Sequence, residues 1–353
     1  AQHQQRRPQP RRQPRLQQLQ LQQLQLQQLQ LQQLVRLVLR PDGTRLWRKQ
    51  LPGYVTAVEC FSGLAPDGPR LLVTTREARL YCLKPDGEEA WRMDFLESAV
   101  QNSDLPTGYS IGLLQRPDGR PLIVVGNYNL ASFVEPDGRL AGDCRLPAAY
   151  QTMTLPHGFD FDGDGTQETI STEVWGVLSV LDANLKRKAG AGSPRGKGLL
   201  LDYYQPPTPR QARVVVCTET GVGVLDGRTL KYDWLQAVGP LNACALGDLN
   251  GDGKPEIVLA KEDGYLLVYD GAGALLQSRL MGEPARSVAI VPGAQGPVIV
   301  AAMPGRVLAL KPDLTGDAVL ASGEYTRLIA AETPGIVLAA GKCATIRALA
   351  CGS

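Results

Sequence analysis

Histidine is almost missing from this chain: His3 and His157 are the only two in 353 residues. Any His-based general acid, base or triad would rest on His157, because His3 lies in a low-complexity tail. His157 stands three residues before an acidic loop and reads as a residue that packs at a strand end or orients that loop, with general base as the alternative. Gly-x-Ser-x-Gly, His-Glu-x-x-His and Walker A patterns are all absent, so no esterase, zincin or P-loop signature is on offer. The seven cysteines (Cys60, Cys82, Cys144, Cys217, Cys244, Cys343 and Cys351) form no Cys-x-x-Cys and no Cys-x-x-Cys-His. Zinc fingers, thioredoxin-like chemistry and c-type haem attachment are thereby excluded. Most of these cysteines lie in apolar runs such as VECF and LNACAL, where a thiol acts as a small buried hydrophobe. A Cys343–Cys351 pair or another disulfide is the alternative.

Long apolar runs are also lacking. No stretch reaches the roughly 18 apolar residues of a membrane-crossing helix, so no transmembrane segment is expected. The N-terminus has basic residues but continues into Gln/Leu repeats, with no apolar core and no small-residue cleavage site of a signal peptide. With no Met at position 1, the chain reads as a fragment or a processed product. Acid is absent from residues 1–41, which carry seven arginines, while the remainder holds 30 Lys and Arg against 35 Asp and Glu. An acidic globular part offers no surface for nucleic acid or anionic lipid, so nucleic-acid binding is not expected.

Residues 1–33 are a Gln-, Leu- and Arg-rich tail. Its Leu-Gln-Gln-Leu-Gln repeat has a period of five, which on a helix turns the leucines by about 140° per repeat and leaves no apolar face. The tail is expected to be disordered or weakly helical; self-association through it is the alternative, and the oligomeric state is open.

From residue 34 to 353 the chain is periodic. One set of turns contains Asp42, Asp86, Asp137, Asp182, Asp226, Asp270 and Asp313, spaced by 44, 51, 45, 44, 44 and 43 residues. A second set alternates with it: Pro66-Asp67-Gly68, Pro117-Asp118-Gly119, the loop at Asp160, Pro206-Pro207, the loop at Asp248, Pro292-Gly293 and Pro334-Gly335. Two hairpins in about 44 residues make a four-stranded antiparallel sheet, and that repeat is the size of a propeller blade. The expected fold is all-β, a seven-bladed β-propeller with strands A to D running outward from a central channel. In the first repeat these strands are 54–61, 70–75, 78–84 and 88–95. The seventh blade takes strands A to C from the C-terminus and strand D from residues 45–51, which removes both open sheet edges. Residues 34–40 compete for a place in that blade, so an eight-bladed or incomplete ring is the alternative.

Two of the A–B turns carry chemistry. Asp160, Asp162, Asp164 and Glu168 stand at positions 1, 3, 5 and 9 of one loop; Asp248, Asn250, Asp252 and Glu256 repeat the pattern 88 residues later. Oxygen ligands on alternate residues, a Gly at position 6 and a backbone carbonyl at position 7 (Thr166, Lys254) suit calcium in six- or seven-fold coordination better than magnesium. Two bound calcium ions are expected. These are not EF-hands, because position 12 is Ser171 or Leu259 and strands flank both loops. The pair resembles the calcium loops of FG-GAP/VCBS, integrin-alpha-like propeller repeats, in which Asp-x-Asp-x-Asp-Gly-x-x-Asp/Glu holds the ion.

The outer hairpins LVLRPDGTRLWRKQL and LYCLKPDGEEAWRMDF resemble the repeats of PQQ-like propellers, with Trp47 and Trp91 each five residues after the turn Asp. Both tryptophans are expected to pack between blades. Quinone-dependent members of that family carry an adjacent cysteine pair, and none occurs here, so no quinone is expected. The two resemblances bear on architecture more than on activity; with no catalytic signature, the expected function is a non-enzymatic binding or scaffold module with a protein or glycan ligand on one propeller face. A calcium-assisted carbohydrate-active enzyme of the polysaccharide-lyase kind, or a fragment of one, is the alternative. Loops of this class suit millimolar external calcium, which points to an extracellular, periplasmic or cell-surface location, although unpaired cysteines count against it.

Overall fold

The computed structural model describes residues 35–39, 45–52, 55–75, 77–95, 110–127, 130–147, 152–206, 212–293, 296–330, 336–341 and 346–351. The tail of residues 1–33, the turn at Asp42, the Pro334-Gly335 turn and Cys343 lie outside them. All described regular structure is β.

Six sheets have four strands each, paired antiparallel in chain order. The first holds β3 (Val55–Phe61), β4 (Arg70–Thr75), β5 (Arg79–Leu83) and β6 (Glu89–Asp94), and the second β7 (Ser110–Gln115), β8 (Pro121–Gly126), β9 (Leu130–Val134) and β10 (Leu140–Arg145). The third comprises β11 (Thr152–Thr154), β12 (Glu168–Glu173), β13 (Val177–Asp182) and β14 (Arg187–Gly192); the fourth, β15 (Gly198–Tyr204), β16 (Arg213–Thr218), β17 (Gly221–Asp226) and β18 (Tyr232–Gln236). Sheet five is β19 (Leu241–Gly247), β20 (Glu256–Lys261), β21 (Tyr265–Tyr269) and β22 (Leu275–Leu280); sheet six is β23 (Ser287–Val291), β24 (Val298–Met303), β25 (Arg306–Leu310) and β26 (Ala318–Ser322). The last sheet has three strands, β27 (Tyr325–Ala330), β28 (Ile336–Gly341) and β29 (Ile346–Ala350). Ahead of them all, β1 (Val35–Leu39) pairs with β2 (Arg45–Gln50).

That last pairing departs from expectation. Residues 45–51 were to complete the seventh blade, but β2 lies in a two-stranded sheet with β1, and β29 is paired with β28. Seven complete four-stranded blades are therefore not what the described strands show. The physical reason is proximity: a hairpin over a short turn closes at far less entropic cost than a pairing across some 300 residues. β2 nevertheless lies against sheet one. Lys49 Nζ donates to the Gly87 carbonyl at 2.9 Å, and Leu51 is buried with Val73, Tyr81 and Leu83.

Successive sheets are held face to face by shared apolar layers. Leu72 and Leu80 of sheet one pack with Ile111, Ile123 and Val125 of sheet two; Val258 and Val268 of sheet five pack with Ile299 and Leu308 of sheet six. Because both faces of each sheet are covered, the middle strands lose the usual alternation. β9 and β17 are buried at every position, which is why the sequence shows continuous apolar runs there. The outermost strands β14 and β22 are exposed at all but one residue. Each buried Leu or Val contributes about 1.5–3 kcal/mol against exposure, so the stability of one sheet rests on its neighbours.

Two interlocks recur between sheets. Trp91 Nε1 donates to the Pro136 carbonyl of the next sheet at 2.8 Å, and its ring lies where a side chain on Gly138 would stand. Trp234 repeats this with the Gly271 carbonyl at 2.9 Å and with Gly273. Packing between sheets, expected for Trp91, is what that residue does; the side chain of Trp47 lies outside the described residues. Cys217 of β16 and Cys244 of β19 form a disulfide between sheets four and five, with Cα atoms 6.7 Å apart. This corrects the reading of both as free thiols. Cys82, Cys144 and Cys351 are buried and free, and Cys60 is exposed. Among the described residues no helix is long and apolar enough to cross a membrane.

Candidate metal centres

The connections β11–β12 and β19–β20 carry the two acidic loops on the same end of their sheets, two sheets apart. Their backbones are folded alike and share most of their amide-to-side-chain hydrogen bonds. Asp160 accepts hydrogen bonds from the amides of Gly163 (2.7 Å), Asp164 (3.1 Å) and Gly165 (3.0 Å). Asp248 accepts them from Asn250 (3.3 Å), Gly251 (2.6 Å) and Gly253 (2.9 Å). The amide of residue 5 donates to the side chain of residue 3 in both: Asp164 to Asp162 at 3.2 Å and Asp252 to Asn250 at 2.8 Å. The amide of residue 7 donates to residue 5, Thr166 to Asp164 at 2.9 Å and Lys254 to Asp252 at 2.8 Å. Position 6 needs glycine, since Gly165 and Gly253 have φ of +87° and +79°, in the left-handed region that costs other residues about 1–2 kcal/mol.

Position 9 begins the next strand and is buried in both loops, Glu168 at 1% and Glu256 at 3% exposure. Each carboxylate accepts the amide of loop position 2: Phe161 to Glu168 at 3.1 Å, Leu249 to Glu256 at 2.7 Å. Position 2 is also the apolar anchor of its loop. Phe161 is buried against sheet four with Val214 and Leu225, and Leu249 against sheet six with Ile299 and Leu310. Carboxylates and inter-sheet packing are thus two ends of one short segment. In loop one a further tie runs the other way, from the Gln115 amide of β7 to Gln167 Oε1 at 2.8 Å.

Carboxylate oxygens of Asp160, Asp162 and Glu168 lie within 4.8 Å of one another, a separation one oxygen-ligated cation can span. Asp164 lies beyond that trio and is tied to it by Lys188. The Lys188 ammonium, from β14, sits 2.8 Å from Asp162, 2.7 Å from Asp164 and 2.9 Å from Glu168. Sequence reasoning missed it: nothing in RKAGAG marks Lys188, which is 20 residues beyond Glu168. Burial works against its charge, but these carboxylates outweigh burial and raise its pKa. Asp164 is lowered to about 2, first by Lys188 and then by Thr166, while burial raises Glu168 in spite of Lys188.

Loop two has a neutral donor instead. Asn250 Nδ2 donates to Glu256 Oε1 at 2.9 Å. Burial, together with the charges of Asp252 and Asp248, raises the Glu256 pKa against the Leu249 amide. Thr166 and Lys254 occupy position 7, where a calcium ion would use their carbonyls. The residues present fit a hard cation: acidic oxygens on a rigid loop, one of them buried in each case. His157 is exposed at the entry to loop one, in a bridge to Leu113 of sheet two and edge-on to Phe61 at 5.6 Å between ring centroids. It packs between sheets at the start of the loop, as one of the expectations had it.

A family model described as Outer membrane protein assembly factor BamB matches residues 32–141. The curated proteins searched gave no match. Solved structures share the fold along most of the chain. BBS1N, crystallised in complex with ARL6DN, is 12% identical, with 85% of this chain and 92% of that one covered at a TM-score of 0.60. BamB from Moraxella catarrhalis is 12% identical, with 87% and 86% covered at 0.59. The Pan2 WD40 domain of Neurospora crassa is 11% identical, with 85% and 90% covered at 0.58. The six four-stranded sheets are therefore blades of a β-propeller fold, with a PQQ-like repeat at its N-terminal side.

Proposed function

We propose that this chain is a non-enzymatic, protein-binding β-propeller scaffold whose third and fifth blades are braced by calcium in loops of the FG-GAP type. The observation that carries the calcium reading is the duplication of one loop geometry. The loops start 88 residues apart, share most of their hydrogen bonds, and both couple a buried Glu to an apolar anchor in the next blade. The first loop holds four carboxylates and the second three, whose mutual repulsion a divalent cation would relieve, in the first loop beyond what Lys188 already does. A calcium ion would fix each loop and, through Phe161 or Leu249, the neighbouring sheet.

Protein binding is supported by the neighbours of this fold, since BBS1N was crystallised with ARL6DN and BamB is described as an assembly factor. The outer strands of blades four to six also expose Leu235 (51%), Leu275 (51%), Leu280 (56%) and Val319 (58%), which is apolar surface a partner would cover. An exported location, periplasmic or at the cell surface, follows from the calcium reading and accords with the Cys217–Cys244 disulfide. We take the ring to be seven-bladed, with the three strands β27–β29 as its last blade. Arg327 of β27 acts electrostatically on Glu59 of β3, which agrees with the last sheet reaching the first. The test of the scaffold reading is chemical crosslinking in the native source. Leu275→Asp with Leu280→Asp should abolish a discrete crosslinked partner while leaving the melting curve unchanged; a partner retained in full by that variant contradicts this surface.

A further inference from the structure

Lys188 owes its place to an irregularity in the outer strand. In β14 the register slips between Ala189, opposite Val180, and Arg187, opposite Leu181, so Lys188 has no partner of its own. The same slip occurs in sheet four at Asp233 and in sheet five at Leu276. In sheet four the bulge residue meets the first residue of the second strand, as Asp233 contacts Arg213 at 2.5 Å. Lys188 meets Glu168, also the first residue of its second strand, at 2.9 Å. In sheets three and four the blade thus brings together two residues 20 positions apart, Glu168 with Lys188 and Arg213 with Asp233; at the matching positions of sheet five stand Glu256 and Leu276.

We propose that Lys188 is a built-in counter-ion of the first loop, one that holds the loop together without metal and makes calcium compete for its carboxylates, so that the second loop is the tighter calcium site. This rests on the reading of both loops as calcium sites. Three charge-assisted contacts of 2.7–2.9 Å converge on one ammonium, and two of its partners, Asp162 and Glu168, belong to the trio that one cation can span. An ion entering there must displace the ammonium or share its ligands. Displacement is sterically open, because β14 is an outer strand and the Lys188 side chain is 27% exposed. Among the described residues no salt bridge reaches Glu256, whose side-chain donors include the neutral Leu249 amide and Asn250 amide group, and Leu276 at the equivalent bulge brings no charge.

The experiment is titration of the full chain with calcium chloride by isothermal calorimetry, one loop at a time. Asp252→Ala leaves loop one; Asp162→Ala leaves loop two. Loop one should bind at least ten-fold more weakly than loop two, and adding Lys188→Gln to Asp252→Ala should recover at least ten-fold. Lys188→Met serves as a second variant, and circular dichroism checks the fold of each. A melt in chelator supplies a reading without calcium: Lys188→Gln should melt lower than the parent and regain the difference when calcium is added. If both loops bind calcium but Lys188→Gln leaves loop one unchanged, the counter-ion role is overturned and the calcium reading stands. If no variant takes up calcium at millimolar concentration, both fall together.

Discussion

Arg116 and Glu135 show what one side-chain pair contributes in this fold. The guanidinium donates two hydrogen bonds of 2.8 Å to the two carboxylate oxygens, tying the end of β7 to the end of β9 across side chains 15% and 14% exposed. Arg116 holds the Glu135 carboxyl below the ordinary glutamate range. A depressed carboxylate stabilises the fold above its unfolded pKa, and the contribution is lost as pH falls through the folded value. Glu135→Gln should therefore cost about 1–2 kcal/mol at neutral pH, with the gap to the parent closing below about pH 4, as urea melts at the two pH values would read. At the same scale the sequence was uneven. Asp160, Asp162, Glu168 and their counterparts were legible because a ligand loop is contiguous and its glycines are fixed by backbone sterics. Lys188 was not, because its meeting with Glu168 depends on a strand bulge that leaves no mark in the residues around it. Cys217 and Cys244 were missed for a related reason: they are 27 residues apart on different sheets, and only the packing of one blade on the next brings them together.

At the scale of strands and turns, the hairpin period predicted the ladder closely. Residues 70–75 were expected as a strand and form β4, and the turns at Asp86, Asp137, Asp182, Asp226, Asp270 and Asp313 each link the third and fourth strands of a sheet. Trp234 escaped notice as the partner of Trp91 because it follows Asp226 by eight residues, not five. The structure nevertheless gives it the same bond to the next sheet. Trp234→Ala should cost about 3–5 kcal/mol, as expected for loss of a large packed aromatic, whereas Trp234→Phe should cost less and lose only the bond to the Gly271 carbonyl; denaturant melts distinguish the two. Gly253→Ala tests the loop itself. No atom lies within 4 Å of the added Cβ, so a loss of about 1–2 kcal/mol would come from the positive φ alone, and calcium affinity should fall with it.

On the scale of the whole molecule, each blade is stabilised by the next, because the apolar layers lie between sheets and not within them. Deleting residues 324–353 should uncover Ala289, Val291, Val300 and Val307 of sheet six, which are buried with Tyr325, Leu328 and Val337. The truncated chain should aggregate or melt far below the full one, as light scattering during a thermal ramp would show. The periodicity made the repeated sheets legible from one sequence, but not the way the ends meet. A strand of the N-terminal hairpin can be read as a blade edge or as half of a local pair, and both use the same alternation of apolar residues.

The claim that most of this account depends on is that the two acidic loops hold calcium and brace their blades. A thermal melt of the full chain in excess calcium and in excess chelator, run beside the Asp162→Ala, Asp252→Ala double variant, addresses it directly. A ligand at 100 times its dissociation constant adds about 2.7 kcal/mol, so the parent should melt several degrees higher in calcium and the double variant should not respond. Equal melting of the parent in calcium and in chelator, up to millimolar calcium, would contradict the calcium reading and leave the loops as acidic turns, the first neutralised in part by Lys188 and the second held by the neutral Asn250 donor.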